Sequence, residues 1–552
     1  MERRVVIIGA GMSGLLACKY LVQKGFHPIV FEADSRVGGL WKHTAESTKL
    51  QNSKGFYEFT DFLWPDSVQE IYPRHDQVME YFESYAEHFG IVPHIKFNCI
   101  VGGIDYVGES NEEMQSWDLW SGTGKAFGSR GKWHIEVLDT EKNSTEIHEA
   151  EFVVLCIGRF SGLANIPDFP AGQGPEVFSG KVMHSMDYSA LDNATAAELI
   201  KRKRIAIIGS QKTAVEIATE CANANGVDNP CIMVYRSVHW NLPSIWIWGI
   251  NFGYLYANRF SELLVHKPGE SFFLSCLATL LSPLKWAISK FTESYIRWKL
   301  PLKKYGIVPK HSITYDLSSC AISLTAEGFY DKVEEGSITL KKSQNFRFCK
   351  EGLVVEGEAE PLKPDLVILA TGYKGDEKLK NMFKSPTFQK EIMGYPHLPI
   401  PLYREMVHPR IPQLAIVGYS ESVSNLYTTE VRCQWLAHFL DGNMQLPNIK
   451  VMEKDATMWA EYMKRYAGCN YRRSCIAGIP IWSNDQLCKD MGCNHKRKKV
   501  FFNELFQPYG PADYAELSSL SKKKGFFNEL FQPYGPADYA ELSSLSKKVV
   551  NA

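Results

Sequence analysis

The 552-residue sequence predicts an α/β fold with two parallel-sheet units, the first of which is interrupted by the second. Three observations predict it. An apolar strand, a small-residue turn and a helical pattern follow one another from residue 5, and the same series recurs from residue 203. Two further apolar strands, 151–158 and 365–373, each start with an acidic residue and end in a small-residue turn. Buried strands that alternate with helices are typical of parallel sheets covered by helices.

The first unit begins with the β-branched strand 5–8 and a glycine-rich turn. Gly9 permits a tight turn, Gly11 lets the backbone approach a pyrophosphate, and Gly14 lets the following helix lie close to the strand. The helix start also offers backbone N–H groups and a favourable dipole to a phosphate. In this strand–turn–helix context the pattern predicts a Rossmann-like dinucleotide site, whose turn consists of Gly9, Ala10, Gly11, Met12, Ser13 and Gly14.

The next strand ends in Glu32, 18 residues after Gly14. A carboxylate at this position accepts hydrogen bonds from a ribose 2′-hydroxyl and repels a 2′-phosphate. The first site is therefore predicted to take FAD or NAD rather than NADP.

The second unit has a weaker turn, in which Gln211 replaces the middle glycine and Ala214 the third. The strand that follows ends in Arg236, at the position that Glu32 holds in the first unit. A guanidinium there can bind the 2′-phosphate of NADP. The pair of units predicts FAD in the first and NADPH in the second, the second turn being Gly209, Ser210, Gln211, Lys212, Thr213 and Ala214. An ordinary strand and helix without ligand, with Arg236 as a solvated charge, remains the alternative.

The strands 151–158 and 365–373 are expected to return the chain to the flavin, the second through the turn residues Thr371 and Gly372. Two unrelated core strands are the alternative. The predicted division is an FAD-binding domain (1–165), an NADPH-binding domain (166–364), a return part of the FAD domain (365–465) and a C-terminal extension (466–552).

Composition excludes several classes of protein. Lys and Arg number 61 against 62 Asp and Glu, and this near-neutral balance argues against nucleic acid as the main partner. Thirteen cysteines are too sparse for a secreted disulfide framework, so we expect reduced thiols and a cytoplasmic protein. No signal peptide is expected, because the N-terminal apolar run reaches Gly and Ser after a few residues and is too short. The late cluster of Cys469, Cys475, Cys488, Cys493 and His495 lacks zinc spacing, and no metal site is predicted.

Two regions have no clear assignment from pattern alone. Residues 240–300 are rich in aromatics and predict either a lid over a substrate cavity or a helical insertion that packs on itself. Within them, 272–288 is apolar but interrupted by Pro283 and Lys285, so we expect a buried helix or pocket wall and no integral membrane span.

The end of the chain carries a duplication, because residues 501–523 recur unchanged at 526–548. Two short copies cannot bury a shared core. We predict that the second copy is dispensable and that its deletion leaves the flavin spectrum intact.

A specific motif lies just before the second glycine turn. Residues 178–188 (FSGKVMHSMDY) fit Phe-x-Gly-x-x-x-His-x-x-x-Tyr, which resembles the identifying sequence of class B flavoprotein monooxygenases and, more narrowly, of the flavin-containing monooxygenases. Gly39, Leu40 and Trp41 resemble the flavin-proximal segment of that family. The stretches 50–59, 235–240 and 484–492 are most similar to the plant members, including the pipecolate N-hydroxylase type.

The resemblance implies an NADPH- and O₂-dependent N- or S-monooxygenase that oxygenates a small amine or sulfide, N-hydroxylation included, through a C4a-hydroperoxyflavin. The cofactor carries the difficult chemistry, so few acid–base side chains are expected. Gln51 stands where family members often have Asn, and it is expected with Asn52 to act at the catalytic centre. A linker role is favoured for His184 over that of a base.

Three alternatives were compared with this interpretation. A disulfide reductase is disfavoured because no cysteine occurs between Cys18 and Cys99. A Baeyer–Villiger or decarboxylating monooxygenase, including the indole-pyruvate type, shares the architecture and stays open. A non-catalytic FAD-binding protein is the alternative of another class. The sequence gives no indication of oligomeric state.

Overall fold

A computed structural model describes residues 3–45, 47–394 and 399–519, without the side chains of residues 473, 518 and 519. The second copy of the duplication, 526–548, and the last residues of the first copy lie outside the described residues. The strands are β1 Val5–Ile8, β2 Ile29–Phe31, β3 Ile95–Lys96, β4 Cys99–Val107, β5 Lys132–Asp139, β6 Ser144–Ala150, β7 Phe152–Leu155, β8 Lys181–His184, β9 Ile205–Ile208, β10 Cys231–Tyr235, β11 Asn241–Leu242, β12 Trp246–Ile247, β13 Ile250–Asn251, β14 Ser323–Leu324, β15 Ile338–Lys342, β16 Phe346–Cys349, β17 Gly352–Val355, β18 Leu366–Leu369 and β19 Leu414–Ile416.

The α-helices are α1 Met12–Gln23, α2 His75–His88, α3 Asn111–Gln115, α4 Ser185–Ser189, α5 Asn193–Ile200, α6 Lys212–Asn225, α7 Phe252–Tyr256, α8 Arg259–Leu263, α9 Phe272–Leu280, α10 Ser282–Lys299, α11 Ile313–Ser318, α12 Phe329–Glu335, α13 Gly375–Asn381, α14 Pro386–Met393, α15 Asn425–Leu440, α16 Ile449–Ala467, α17 Pro480–Asp490, α18 Phe501–Phe506 and α19 Ala515–Ser519.

The first parallel sheet has the order β19-β7-β1-β2-β3. Its central strand β1 is buried at all four residues, because helix α1 covers the face with Val5 and Ile7 and the antiparallel strand β5 covers the face with Val6 and Ile8. Helix α1 follows the first glycine turn and packs against α15. The strand predicted at 151–158 is β7, and it pairs directly with β1.

The second parallel sheet has the order β15-β10-β9-β18-β8. Here the structure corrects one expectation. The strand predicted at 365–373 is β18, and it pairs with β9 and β8 in the second sheet instead of returning to the first. Its apolar residues fit either sheet equally well, so only the pairing partners decide between them. The strand that rejoins the first sheet is β19.

The return of the chain to the first unit begins just after β18. The backbone N–H of Ile104 in β4 donates to Met382 O, and Leu379, Phe383 and Phe388 pack against Trp133 of β5. The antiparallel sheet β4-β5-β6 is thereby joined to α13 and α14. We therefore propose a domain boundary near residue 374 in place of 365.

The aromatic-rich insertion forms α7 to α10 and packs on the C-terminal helices. Its buried side chains Trp240, Ile247 and Ile296 share a core with Trp459 and Met463 of α16. Other large apolar side chains of the insertion are exposed, with Phe272 at 85 % and Phe273 at 73 %. The expectation of a buried helix or pocket wall at 272–288 is wrong for α9, whose largest apolar side chains are exposed and whose one buried residue is Ala278. Within the described residues no single helix has the length and hydropathy to cross a membrane; α9 and α10 satisfy that test only as a pair, bent by 48°.

The cysteines also differ from the expectation of free thiols throughout. Cys320 and Cys475, 155 residues apart in sequence, form a disulfide between the loop after α11 and the segment before α17. Cys488 is a buried free thiol whose pKa is raised to about 12 by burial. Since folding brought Cys320 to Cys475, spacing along the sequence contained no signal for this pair.

Candidate dinucleotide cleft and active site

Both glycine turns open into one cleft of about 2330 Å³ between the two parallel sheets. Each turn follows the carboxyl end of its central strand, which is where open α/β sheets bind ligands. The cleft exceeds the few hundred cubic ångströms typical of a site for one small ligand. Its lining includes most of the site residues predicted from sequence, namely Gly9, Gly11, Met12, Ser13, Glu32, Gly39, Leu40, Trp41, Gln51, Asn52, Gly209, Ser210, Gln211, Lys212, Thr213, Ala214, Arg236, Thr371 and Gly372.

Two residues of the first turn, Ala10 and Gly14, support the turn from behind instead of lining the cleft. Ala10 is fully buried. A Cβ atom on Gly14 would lie 1.9 Å from the carbonyl oxygen of Gly9, so α1 can start this close to β1 only with glycine there. Gly9 has φ +101°, and a Cβ on it would meet the carbonyl oxygen of Cys156 at 2.6 Å.

The front of the first turn faces a second backbone segment that also lacks side chains. A Cβ on Gly11 would lie 3.4 Å from the Cα of Gly39, and Gly39 itself has φ +55°. The two glycines thus pack closely against each other, and both line the cleft without a side chain over the backbone. This cradle fits the pyrophosphate of a dinucleotide, which requires close backbone approach.

Glu32 lies at the end of β2 with its carboxylate held by backbone donors. The N–H of Ala10 donates to one oxygen and the N–H of Asp34 donates to the other at 2.9 Å. Burial raises the pKa of the Glu32 carboxyl, and the two backbone hydrogen bonds and Lys42 oppose that shift. The side chain is thus fixed at the place where a ribose 2′-hydroxyl is expected.

The second turn is similarly close-packed. A Cβ on Gly209 would lie 2.5 Å from the carbonyl oxygen of Ala370, just after the adjacent strand β18, and 3.2 Å from the Cβ of Ala214. The Nζ atom of Lys212, at the start of α6, lies 3.4 Å from Glu216 Oε1 and donates a hydrogen bond to the backbone carbonyl oxygen of Lys49 at 2.9 Å. The second unit therefore contacts the first at the rim of the cleft.

Arg236 follows β10 and is exposed on the cleft wall. β10 pairs with the central strand β9 just as β2 pairs with β1, so Arg236 and Glu32 have equivalent places in the two sheets. An acid in one unit and a base in the other thus face the same cleft. This geometry suits a 2′-hydroxyl at one end and a 2′-phosphate at the other.

Gln51 and Asn52 lie on the same cleft wall as the first turn. The side-chain amide of Asn52 donates to the carbonyl oxygen of Val423, which comes from the segment between β19 and α15. Nearby, the indole N–H of Trp41 lies 3.3 Å from the hydroxyl oxygen of Tyr57. Burial raises the pKa of that phenol to about 12, so it is neutral at physiological pH.

Thr371 and Gly372 form the turn after β18, which is hydrogen-bonded to Asn165. The amide of Asn165 donates to Thr371 O at 3.0 Å, and the N–H of Asn165 donates to Gly372 O at 2.9 Å. The turn after β18 is therefore attached to the segment through which the chain leaves the first unit. Since both residues line the cleft, they lie at the crossing between the units.

His184 is 2 % exposed and caps α4, where its Nδ1 accepts a hydrogen bond from the N–H of Met186 at 3.1 Å. Its ring packs against Tyr373 with centroids 5.6 Å apart. Burial lowers the pKa of the imidazole, which favours the neutral form. These contacts support the expected linker role, and His184 is absent from the cleft lining.

Sequence reasoning missed Gly418 and Lys378. A Cβ on Gly418, just after β19, would lie 2.0 Å from Ser13 Oγ, so this third strand end also meets the first turn. The pattern of an apolar strand followed by glycine could have revealed it. Lys378 reaches the cleft from α13, donates to Ser161 Oγ at 3.0 Å, and has its pKa lowered to about 8 by burial. No local signal marked it.

Sequence reasoning also missed a cluster of His239, His311 and Asp316 on the cleft side of α11. Asp316 is fully buried and lies 2.9 Å from His239 Nδ1 and 2.8 Å from His311 Nε2. The N–H of Trp240 donates to the same carboxylate at 2.7 Å. Although the three side chains are close enough to share a cation, these hydrogen bonds already satisfy the carboxylate.

Of the two alternatives for residues 240–300, the lid over a substrate cavity does not agree with the structure. Among the described residues that line the cleft, none belongs to 240–300. The alternative, a helical insertion with its own packing, agrees with the shared core described above.

Comparison with known proteins places these features in a family. The model of the flavin-binding monooxygenase-like family matches residues 2–503. A probable flavin-containing monooxygenase 1 of Arabidopsis thaliana is 41 % identical over 93 % of this chain and 96 % of the relative. A putative flavin-containing monooxygenase 2 of the same plant is 37 % identical over 88 % and 97 %.

Solved structures share the fold at low identity. An S-allyl-L-cysteine S-oxygenase from Allium sativum superposes with a TM-score of 0.56 at 17 % identity, covering 99 % of both chains. A cyclohexanone monooxygenase bound to ε-caprolactone gives 0.62 at 16 % identity, covering 88 % of this chain and 97 % of that one. The chain belongs to the flavin-binding monooxygenase-like family, which confirms the expected fold, the plant relatives, the monooxygenase class and the cofactors FAD and NADPH.

Proposed function

We propose that this flavin monooxygenase oxygenates the amine nitrogen or sulfide sulfur of a small molecule with NADPH and O₂. One observation carries the proposal. The two glycine turns, with Glu32 beside one and Arg236 beside the other, open into a single cleft. Two dinucleotides bound there share one space, as electron transfer between them requires.

The two units divide the cofactors by the charge at their strand ends. The first turn, Glu32 and the segment Gly39 to Trp41 would hold FAD, while the second turn and Arg236 would hold NADPH. Bound there, the two cofactors would supply the redox chemistry, namely hydride transfer from NADPH to the flavin and activation of O₂ toward a soft nucleophile. The protein's own task is to orient both cofactors and exclude water.

Gln51 and Asn52 supply uncharged amide groups to the cleft wall, where they can form hydrogen bonds with a bound ligand. The bond from Asn52 to Val423 O fixes one amide hydrogen and leaves the second hydrogen and the oxygen for a ligand. Tyr57 adds a neutral hydroxyl that stays protonated across physiological pH. These uncharged donors suit positioning of a ligand better than proton abstraction, in agreement with chemistry carried by the cofactor.

The experiment compares four substrates with the FAD-loaded enzyme: a cyclic amine, a thioether, a cyclic ketone and a 2-keto acid. We expect NADPH oxidation to yield N- or S-oxygenated product from the first two. The thioether is included because one fold relative is named as an S-oxygenase of a thioether amino acid. Oxygenated product per NADPH oxidised is measured by mass spectrometry.

Each other outcome points to a different function. Ester from the ketone would identify a Baeyer–Villiger enzyme, and loss of CO₂ from the keto acid would identify the decarboxylating type. FAD binding without substrate-dependent NADPH oxidation would favour a non-catalytic protein. As a matched pair, Asn52→Ala is expected to release more hydrogen peroxide per NADPH than Asn111→Ala, since Asn111 starts α3 on the surface away from the cleft.

A further inference from the structure

Exposed aromatic rings are concentrated on one part of the molecule. In the part of the chain that the structure describes, every Phe or Trp with an exposed side chain lies between residues 246 and 298 or between 501 and 506. Exposure reaches 85 % for Phe272, 64 % for Trp286 and 74 % for Phe501. We call this set, together with the exposed Leu280 and Leu284 between them, the aromatic face; its rings are those of Trp246, Trp248, Phe272, Phe273, Trp286, Phe291, Trp298, Phe501, Phe502 and Phe506.

The aromatic face is continuous although its two segments are about 200 residues apart in sequence. The ring of Trp248, in the β12–β13 hairpin, lies 4.9 Å from that of Trp298, and its indole N–H donates to Ser294 Oγ at 3.1 Å. The hairpin therefore packs on α10, which contacts α9. On the other side α9 contacts α8, whose Phe260 lies 5.1 Å from Phe506 of α18.

Neither the core nor the cleft accounts for these side chains. The insertion already has buried residues that serve its core, and the described lining of the cleft contains none of the aromatic face. Exposed apolar patches of this kind mark a surface that binds a partner or a membrane.

Charge indicates which partner fits. Residues 271–304 contain six basic residues and a single acid, and Lys496 and Lys499 are exposed just before α18, in a chain of net charge −1. The single acid, Glu293, is buried and paired with Lys290 and Arg297. The exposed charges of these two segments are thus mainly cationic, which complements anionic lipid headgroups.

The geometry fits a surface that lies on a bilayer. The 9-residue α9 and the 18-residue α10 meet at 48°, so neither continues into a straight membrane-spanning helix. Four tryptophans belong to the aromatic face, and Trp is enriched where proteins meet the headgroup region. We infer that the aromatic face binds the surface of an anionic lipid bilayer, with Lys and Arg at the headgroups and the Phe and Trp rings inserted among them.

The test is co-sedimentation of the FAD-loaded full chain with vesicles of phosphatidylcholine alone or with about one third phosphatidylserine. We expect binding to the anionic vesicles and weaker binding at high salt. The triple variant Phe272→Ser/Phe273→Ser/Trp286→Ser is expected to lose at least about tenfold in affinity. The matched variant Leu63→Ser/Ile147→Ser removes two side chains that are 72 % and 66 % exposed elsewhere, and it is expected to bind like the native chain.

A charge variant separates the electrostatic contribution to vesicle binding from the contribution of the aromatic rings. Lys299→Gln/Lys303→Gln is expected to weaken binding to anionic vesicles only, and retained FAD absorbance shows that each variant is folded. No binding to anionic vesicles, or equal binding of the triple variant, would overturn the inference. Sedimentation velocity that shows a dimer dissociated by the triple variant, with no vesicle binding, would instead assign the aromatic face to contact between two copies of the chain.

Discussion

The carboxylate of Glu32 accepts a hydrogen bond from the backbone N–H of Ala10. This bond joins the end of β2 to the first glycine turn, 22 residues earlier. Ala10 is fully buried and Glu32 is 6 % exposed. The acid that is expected to contact the ribose of FAD therefore also supports the turn that is expected to hold its pyrophosphate.

Replacement of Glu32 tests this double role. Glu32→Ala removes the acceptor for two backbone donors, and we expect FAD affinity to fall about 10- to 100-fold. Glu32→Gln keeps one acceptor oxygen and is expected to lose less. Flavin fluorescence on titration measures both, with the exposed Glu80→Gln as control. Equal FAD affinity of Glu32→Ala and the native chain would contradict the assignment.

Arg236 is expected to set the preference for NADPH over NADH. Arg236→Ala removes a charge-assisted contact to the 2′-phosphate, so the KM for NADPH should rise about 10- to 100-fold while that for NADH stays unchanged. Steady-state NAD(P)H oxidation measures the ratio. Lys201→Ala, an exposed cation at the end of α5 in the same unit, should alter neither constant. A parallel rise in both constants would place Arg236 in a structural role.

The third positions of the two glycine turns should respond differently to substitution. Gly14→Ala would place a Cβ 1.9 Å from Gly9 O, a backbone atom that cannot move without displacing β1. We expect a loss of about 1–3 kcal/mol in stability together with loss of FAD binding. Ala214→Gly at the equivalent place of the second turn creates no clash and should retain FAD. Thermal unfolding followed by flavin fluorescence distinguishes them; a stable, FAD-bound Gly14→Ala would refute the close packing.

Glu405 is expected to make stability fall as pH rises. Burial raises the pKa of its carboxyl to about 7, above the ordinary value of 4.5, despite a hydrogen bond from Ser474. Between pH 4.5 and 7 the folded state binds more protons at Glu405 than the unfolded state does. The stabilisation of the fold by protonated Glu405 is therefore complete below pH 4.5 and is lost as the pH rises to 7. Glu405→Gln mimics the protonated acid. Its Tm relative to the native chain should therefore be higher at pH 8 than at pH 5, whereas the exposed Glu461→Gln should show no such trend.

The two dinucleotide-binding units could be predicted from the sequence because the residues that define each unit are close together along the chain. The strand, turn and helix around Gly9 and Gly209 were recognisable because each lies within about 30 consecutive residues and glycine there has a specific steric reason. The acid Glu32 and the base Arg236 could be read from their places at strand ends. All of these except Ala10 and Gly14 line the cleft, and those two support the turn from behind.

The sequence-based predictions were wrong where an apolar segment could pack in more than one place, as for strand β18 and helix α9. β18 has the same apolar pattern as β7, yet it pairs with β9, because strand composition does not specify which sheet a buried strand joins. The apolar composition of 272–288 predicted a buried helix or pocket wall, whereas α9 exposes Phe272 and Phe273. A helix that is apolar on most faces gives no sequence signal for which face is covered.

The sequence by itself determined the two dinucleotide units, the opposite charges at their strand ends and the family of the chain, because these are set by residues close in sequence. The tertiary structure decided that both units share one cleft, that Lys378 and Gly418 reach it, that Cys320 meets Cys475, and that the aromatic insertion faces outward. These are contacts between residues tens to hundreds of positions apart, and their formation depends on how whole sheets and helices pack.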